Sequence, residues 1–354
     1  MNTWVKTFLQ NVRYAFRPDK PLLFVRLAHA VFRSYVLRSP PLRYVDFSIG
    51  FECNMACEHC FATALQSRVP RRRMAPADYR RVAKQSMALG AVNFSFQGGE
   101  PLMMPQLPGI IKAVNPWMNV ISVTTNGMLI TPEKLRELRT CGVDILTVSL
   151  DSGIPEEHDR FRNKPGAFSA VVNGVKLALG MGFRVTLGTV VTHGSVHSQG
   201  LKRLIELAQD LKVLLYFIFP VPAGRWAGVT DMLLTDEDVA YIESLTRSSS
   251  LLRTDFQANF GPRGCGAAKE ILYITTYGDV LTCPFIHITA GNVFDESVAD
   301  IRNRAIANPY FSTYHPRCLA STDDRFREDV LKKTCGAARL PLSWDVAFGP
   351  ERPV

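Results

Sequence analysis

From Tyr44 onward the chain alternates short apolar runs with segments of helical character, and six strand-like runs appear before residue 222. "YVDFSIG", "AVNFSFQGGE", "NVISVTTNG", "VDILTVSLDS", "FRVTLGTVVT" and "VLLYFIFPV" read as strands. Between them "PADYRRVAKQSMALG", "LPGIIKAVNP", "TPEKLRELRTCG", "AFSAVVNGVKLALGMG" and "QGLKRLIELAQDL" read as helices. Thr131 followed by Pro132 is an N-cap and N1 signal. The alternation predicts an α/β fold, a parallel sheet covered by helices. Glycine or polar residues fall just after each strand, at the edge that carries the chemistry of parallel α/β folds.

After "PAGRWAG" the alternation stops. "TDEDVAYIESLTRSSS" reads as a helix with Thr235 at N-cap and Asp238 at N3. "EILYITTYGDVLTC" reads as a hairpin turning at Tyr-Gly-Asp. A domain boundary near residue 250 therefore separates 44–249 from 250–354. Residues 1–43 form a third region in which basic and apolar residues alternate. "PLLFVRLAHAVFRSYVLR" places Arg26, His29 and Arg33 on one helical face, with Leu23, Leu27, Ala30, Val31 and Phe32 around the rest. It predicts an amphipathic helix, or two around Pro18 and Pro21. Three roles stay open: packing on the main domain, peripheral contact with a membrane surface, and docking of a peptide or partner.

The 354 residues suit one large domain and a smaller one. No run approaches the ~20 apolar residues of a membrane span. The start lacks the apolar core and cleavage site of a secretory signal, so a cytoplasmic protein is expected. In that setting eight cysteines point to metal binding or reduced thiols rather than disulfides. The net charge of +9 favours anionic partners without choosing among them.

"GFECNMACEHCFA" gathers Cys53, Cys57 and Cys60 at the spacing C-x3-C-x2-C. Thiolate is a soft ligand that selects zinc or iron–sulfur clusters. A structural zinc site closes all four positions. His59 lies between two of the cysteines, where a short loop makes it an awkward fourth ligand. Three thiolates on a four-iron cluster leave one iron open, as a catalytic centre requires.

Here the sequence resembles the radical S-adenosylmethionine (radical SAM) enzymes. The cysteine loop follows the first strand, Gly98-Gly99-Glu100-Pro101 the second, "TTNG" at Thr124–Gly127 the third, and "SLDS" at Ser149–Ser152 the fourth. The resemblance covers roughly residues 44–225. It implies a partial (β/α)6 TIM-like barrel, a 4Fe–4S cluster on Cys53, Cys57 and Cys60, and S-adenosylmethionine chelated to the open iron. One electron would cleave the sulfonium to a 5′-deoxyadenosyl radical that abstracts hydrogen from an unactivated C–H bond. Such an enzyme draws that electron from a flavodoxin- or ferredoxin-type reductant. By position, Gly98, Gly99 and Glu100 would hold the cofactor's ammonium, and Ser149 and Asp151 would meet the ribose or line the pocket. His59 takes the place of an aromatic beside the adenine, or is a solvent-facing loop histidine. Thr189 is a cofactor contact or a core threonine. Asn126 is left as a turn residue or a pocket residue.

Cys265, Gly278 and Cys283 stand as C-x12-G-x4-C, which resembles the start of the family's SPASM and twitch extensions. With Cys318 and Cys335 the small C-terminal α+β domain holds four thiols, enough for one auxiliary 4Fe–4S cluster. All four sulfurs are expected to converge on the side facing the barrel mouth. Cys141 reads as a small buried hydrophobe. Pro284 follows Cys283 where sulfatase-maturing relatives carry an acid, so that activity is disfavoured. Asp279 reads as a turn residue.

The leading function is hydrogen abstraction from a small polar metabolite or natural-product precursor, with net oxidation through the auxiliary cluster. Modification of a ribosomal peptide is the alternative, although 43 residues are too few for a winged peptide-recognition domain. A metal-stabilised basic binding protein is the reading from another class. Nucleic acid is not expected as a partner, because paired C-x2-C knuckles and basic stretches interleaved with aromatics are lacking. The dense run "RVPRRRM" (Arg68, Arg71, Arg72, Arg73) is a solvated loop or a binder of an anionic substrate.

Overall fold

The structure is a computed structural model and describes residues 19–36, 41–258 and 264–349. The alternating region builds β1 (Tyr44–Ser48), β2 (Asn93–Gln97), β3 (Val120–Thr125), β4 (Ile145–Ser149), β5 (Arg184–Val190) and β6 (Leu214–Ile218). Each pairs in parallel with the next. One side of these strands is apolar: Val45, Phe47, Phe94, Phe96, Ile121, Val123, Leu146, Val148, Leu187 and Phe217 are buried in a single core under the helices. The other side carries Tyr44, Asp46, Ser48, Ser95, Ser122, Thr147, Thr186 and Tyr216, one strand period away. This is the TIM-like partial barrel, with a polar inner face.

The helices follow their local signals. Thr131 Oγ1 accepts from Lys134 N at 3.2 Å and caps Pro132–Thr140, and Thr235 caps Asp236–Ser248 in a capping box with Asp238. A short polar helix, Pro155–Arg162, lies between β4 and the helix Ala167–Gly180. Its eight residues offer too few apolar positions to reveal a period.

The parallel sheet runs past the expected boundary. β7 (Leu252–Thr254) pairs in parallel with β6, a strand too short for its alternation to register. The expected hairpin is β8 (Ile271–Ile274) and β9 (Asp279–Leu281), but β8 also pairs in parallel with β1. With β10 (Ile288–Asn292) and β11 (Leu342–Ser343) the C-terminal region extends the same sheet, in the order β11-β10-β9-β8-β1-β2-β3-β4-β5-β6-β7. The auxiliary cysteines are thereby stitched to the first strand of the barrel.

Of residues 1–43, the helix Pro21–Tyr35 is described, and Met1–Pro18 and Leu37–Pro40 lie outside the described residues. It packs below the barrel, with Leu23 against Val92 and Val120 at the entry to β2 and β3. Part of its basic face turns toward the barrel. Arg26 turns inward and donates to Met118 O at 3.1 Å, to Asn119 and to Ala91 O. Lys20 Nζ is buried 2.5 Å from Asp144 Oδ2. Leu22, Phe24, Val25, Phe32 and Val36 are left exposed. No helix among the described residues is long and apolar enough to cross a membrane.

Candidate metal centre and cofactor site

The cysteine loop leaves β1 and is gripped from three sides. The end of β2 is zipped to it: Gly99 N donates to Gly50 O at 2.9 Å and Glu100 N to Glu52 O at 2.8 Å. The glycines permit this approach. A Cβ on Gly98, at φ +136°, would stand 2.2 Å from Gly50 O, and one on Gly99 2.2 Å from Glu52 O. From β3, Asn126 Nδ2 donates to Asn54 Oδ1 at 2.6 Å and lies 3.8 Å from Cys53 Sγ. From beyond β6, Arg225 N and its guanidinium bond to Cys60 O and Ala56 O, and Gly224, at φ +65°, lies where a Cβ would meet Phe61 Cα at 2.3 Å.

The loop brings its thiols into mutual electrostatic contact. Burial raises the Cys53 thiol, and Glu100, Cys57 and Cys60 add to the shift. Burial also raises Cys57, opposed by Arg162, whose guanidinium points at Cys57 Sγ from 3.7 Å. Among the described residues no three His, Cys, Asp or Glu side chains close on a single ion. Three soft sulfurs spread along one loop suit the larger core of an iron–sulfur cluster.

His59 is no solvent-facing residue. Its ring stacks on Phe161 with centroids 4.5 Å apart and lies 5.7 Å from Trp226. Burial, with help from Arg162, pushes it down to about 3, so it is neutral, and its Nδ1 has no hydrogen-bond partner. Glu100 is fully buried. Its carboxylate accepts from Leu102 N at 3.0 Å, Thr125 Oγ1 at 2.7 Å and Asn126 N at 2.7 Å, which ties the ends of β2 and β3 together. The backbone carbonyls of the glycines remain as the groups suited to a cation.

At the end of β4, Ser149 is half-buried and in register with Gly188. Asp151 is the hub of a buried network: Arg162 Nε donates to its Oδ2 at 2.6 Å and Val190 N to its Oδ1 at 3.1 Å. Its backbone N–H donates to His158 Nδ1 at 3.2 Å, and Thr189 Oγ1 donates to its carbonyl at 3.4 Å. Burial alone would raise Asp151, but Arg162, His59 and His158 outweigh it and hold it below the ordinary carboxylate value. Sequence reasoning missed Arg162 and His158. The only hint was a basic residue in a segment too short to be recognised as a helix.

In the C-terminal region the structure brings Cys265, Cys283 and Cys318 together. Cys265 Sγ accepts from Ala267 N–H and Leu319 N–H, the residue after Cys318. Burial raises the Cys283 thiol, with Cys265 the next contributor. Burial likewise raises Cys318, and the charges facing it are Asp255, then Cys265 and Cys283. Cys335 is half-buried and follows the turn Leu331–Thr334, with Lys332 facing it. Phe61, next to Cys60, meets Phe285, two residues past Cys283, edge-on with centroids 5.0 Å apart. Phe61 and Phe285, each beside one thiol set, both line a crevice with His59, Val190, Phe219 and Trp226.

The arginine run is not a free anion site. Arg71 grips Asp279 with two bonds of 2.7 Å, Arg72 lies over Phe294 and bonds Asp78 at 3.2 Å, and Arg73 bonds Glu52 at 3.1 Å. Asp279 is therefore a structural acid, as expected. Cys141 is buried among apolar side chains.

A barrel whose first loop presents three thiols defines the class, and comparison with known proteins agrees. A model of the radical SAM superfamily matches residues 47–208, and a model of the SPASM iron–sulfur cluster-binding domain matches 265–329. The chain is 24% identical to the AdoMet-dependent heme synthase of Methanosarcina barkeri, over 74% of this chain and 82% of that protein. It is 28% identical to the probable GTP 3′,8-cyclase of Pyrobaculum aerophilum, over 86% of each. The solved structure of Streptococcus suis SuiB bound to precursor peptide SuiA shares the fold, with a TM-score of 0.61 and 18% identity over 81% of this chain and 69% of SuiB. Residues 47–208 form a radical SAM domain and residues 265–329 a SPASM domain, and the protein is an enzyme. The first domain implies a 4Fe–4S cluster and S-adenosylmethionine, and the second implies auxiliary iron–sulfur. The reading as a metal-stabilised binding protein is overturned.

Proposed function

We propose that the enzyme abstracts hydrogen from a small polar metabolite or natural-product precursor and oxidises it, with an external flavodoxin- or ferredoxin-type reductant. Cys53, Cys57 and Cys60 hold the catalytic cluster, and the carbonyls of Gly98 and Gly99 meet the ammonium of S-adenosylmethionine. When bound, that pair supplies a carbon-centred radical by one-electron cleavage of the sulfonium. The chain's own residues do the rest. His59, stacked on Phe161, offers an apolar flank to the adenine. Asp151 and Arg162 fix the β4 end against the thiol loop, and Phe219 and Trp226 exclude water from the crevice. The observation that carries the reading is the edge-on contact of Phe61, next to Cys60, with Phe285, two residues past Cys283. A substrate in that crevice lies between the radical source and an electron acceptor.

Anaerobically reconstituted, dithionite-reduced protein is expected to convert S-adenosylmethionine to 5′-deoxyadenosine. Cys57→Ala abolishes this and Cys141→Ala does not. Formation at the wild-type rate by Cys57→Ala overturns the assignment. The low-molecular-weight fraction of a cell extract should stimulate the reaction, whereas stimulation by the peptide fraction alone favours the ribosomal-peptide alternative.

We further propose that the enzyme works in the cytoplasm with residues 1–43 seated on an anionic membrane surface. Eight basic residues and one acid in this segment account for seven of the nine net charges. Lys20, Arg26 and Arg43 bond within the protein. Leu22, Val25 and Phe32 form an outward apolar stripe, and Trp117, 58% exposed, adjoins Met118, whose carbonyl receives Arg26. Apolar area and positive charge together are what an interfacial helix uses. Val25→Glu with Phe32→Glu should abolish binding to phosphatidylserine vesicles while deoxyadenosine formation persists. Undiminished binding refutes the membrane role, and a shift from dimer to monomer without vesicle binding assigns the stripe to a second copy of the chain.

A further inference from the structure

Asp255 opens a 3-10 turn, Asp255–Ala258, directly after β7 and ten residues before Cys265. No motif marks it. Its Oδ1 is sealed from solvent and has no hydrogen-bond partner. A carboxylate oxygen buried without a partner is unfavourable unless something binds it. Its charge acts on all three thiols of the C-terminal set, Cys265, Cys283 and Cys318. Cys318 faces Asp255 more strongly than it faces either sulfur. The four groups come from four places: the end of β7, the segment before β8, the loop after β9, and the start of the helix Leu319–Thr322. Three of them are soft donors already satisfied in part by backbone N–H groups, and the fourth is a hard donor that accepts from the N–H groups of Asp255 and Phe256 while its Oδ1 stays unpartnered.

We propose that Asp255 supplies the fourth protein ligand of the auxiliary iron–sulfur cluster, beside Cys265, Cys283 and Cys318, and that Cys335 does not ligate it. The proposal rests on the reading of this region as an auxiliary cluster site. A four-iron core takes one ligand per iron, so its ligands need not close on a single ion, and among the described residues they do not. Three thiolates and one carboxylate carry the same formal charge as four thiolates. Carboxylate oxygen, however, is a harder and weaker donor than thiolate. It stabilises the ferric state less, so the cluster accepts an electron at a higher potential than a four-cysteine cluster in the same place. That is the direction an acceptor of a substrate-radical electron requires.

The test is iron content, Mössbauer spectra and an EPR-monitored potential titration of full-length protein reconstituted anaerobically. Wild type, Asp255→Ala, Asp255→Cys and Cys335→Ala are compared. Asp255→Ala should lose one iron or the whole auxiliary cluster while the catalytic cluster stays intact. Asp255→Cys should keep about eight irons and shift the auxiliary potential downward, a readout that survives even if the alanine variant misfolds. Cys335→Ala should match wild type. An unshifted potential in Asp255→Cys, or loss of auxiliary iron in Cys335→Ala with Asp255→Ala unchanged, overturns the proposal. Wild type with only about four irons instead refutes the auxiliary-cluster reading itself.

Discussion

Arg162 is the most exposing single position for the account of the catalytic loop, because one side chain joins the loop to the barrel. Its side chain is 9% exposed and that of Asp151 4%. Arg162→Met keeps most of the volume and removes the charge, leaving Asp151 buried without its cation. Breaking a buried pair in this way costs about 3–5 kcal/mol. With an unfolding entropy of about 2.1 cal/mol/K per residue, 354 residues give ~1.3 °C per kcal/mol, so the thermal midpoint should fall by about 4–7 °C. Arg162→Met combined with Asp151→Asn leaves no stranded charge and should recover a large part of the loss. The pH dependence has a defined sign. Asp151 is held below its ordinary 3.8, so its contribution is present above about pH 4 and fades as pH falls further. The gap between wild type and Arg162→Met should therefore narrow in acid. Circular dichroism melts of the reconstituted proteins under argon measure all of this. A single variant melting with wild type, or a double variant no better than the single, would refute the reasoning.

Asp46, inside the barrel, is raised to about 7 by burial against the bonds of Ser95, Tyr44 and Gln97. Its folded form favours the proton, so stability is lost as pH rises from about 4 to about 7. Asp46→Asn should exceed wild type by at most about 4 kcal/mol at pH 8, with the advantage vanishing below pH 4 in urea titrations. Gly99→Ala should halve the iron per protein by expelling the thiol loop from β2, and full iron retention would contradict the close approach. Lys20→Met strands the buried Asp144 and should lower the melting midpoint, an effect absent from Arg68→Met.

What could be read from the sequence was local. The strands, the caps at Thr131 and Thr235, and the thiols Cys53, Cys57 and Cys60 all depend on residues a few positions apart. The remainder is set by distant partners. Arg162 meets Cys57 across 105 residues, and the partner of Arg71 is Asp279, 208 residues on. A run of arginines cannot announce that its acids lie elsewhere. Both faces of the helix Pro21–Tyr35 are amphipathic candidates, and the carbonyls and Asp144 under the barrel decide that Arg26 turns inward. Cysteine counting pointed to Cys335, and no motif marks Asp255, whose charge reaches Cys318 only through the fold.

The central claim is a cluster with an open iron on Cys53, Cys57 and Cys60. EPR of the reduced reconstituted enzyme, with and without S-adenosylmethionine, tests it most directly. The account predicts that the cofactor changes the spectrum of the catalytic cluster in wild type and in Cys318→Ala, and that the cofactor-sensitive signal is missing from Cys57→Ala. A wild-type spectrum that S-adenosylmethionine leaves untouched, or a cofactor-sensitive signal that survives Cys57→Ala, would contradict it.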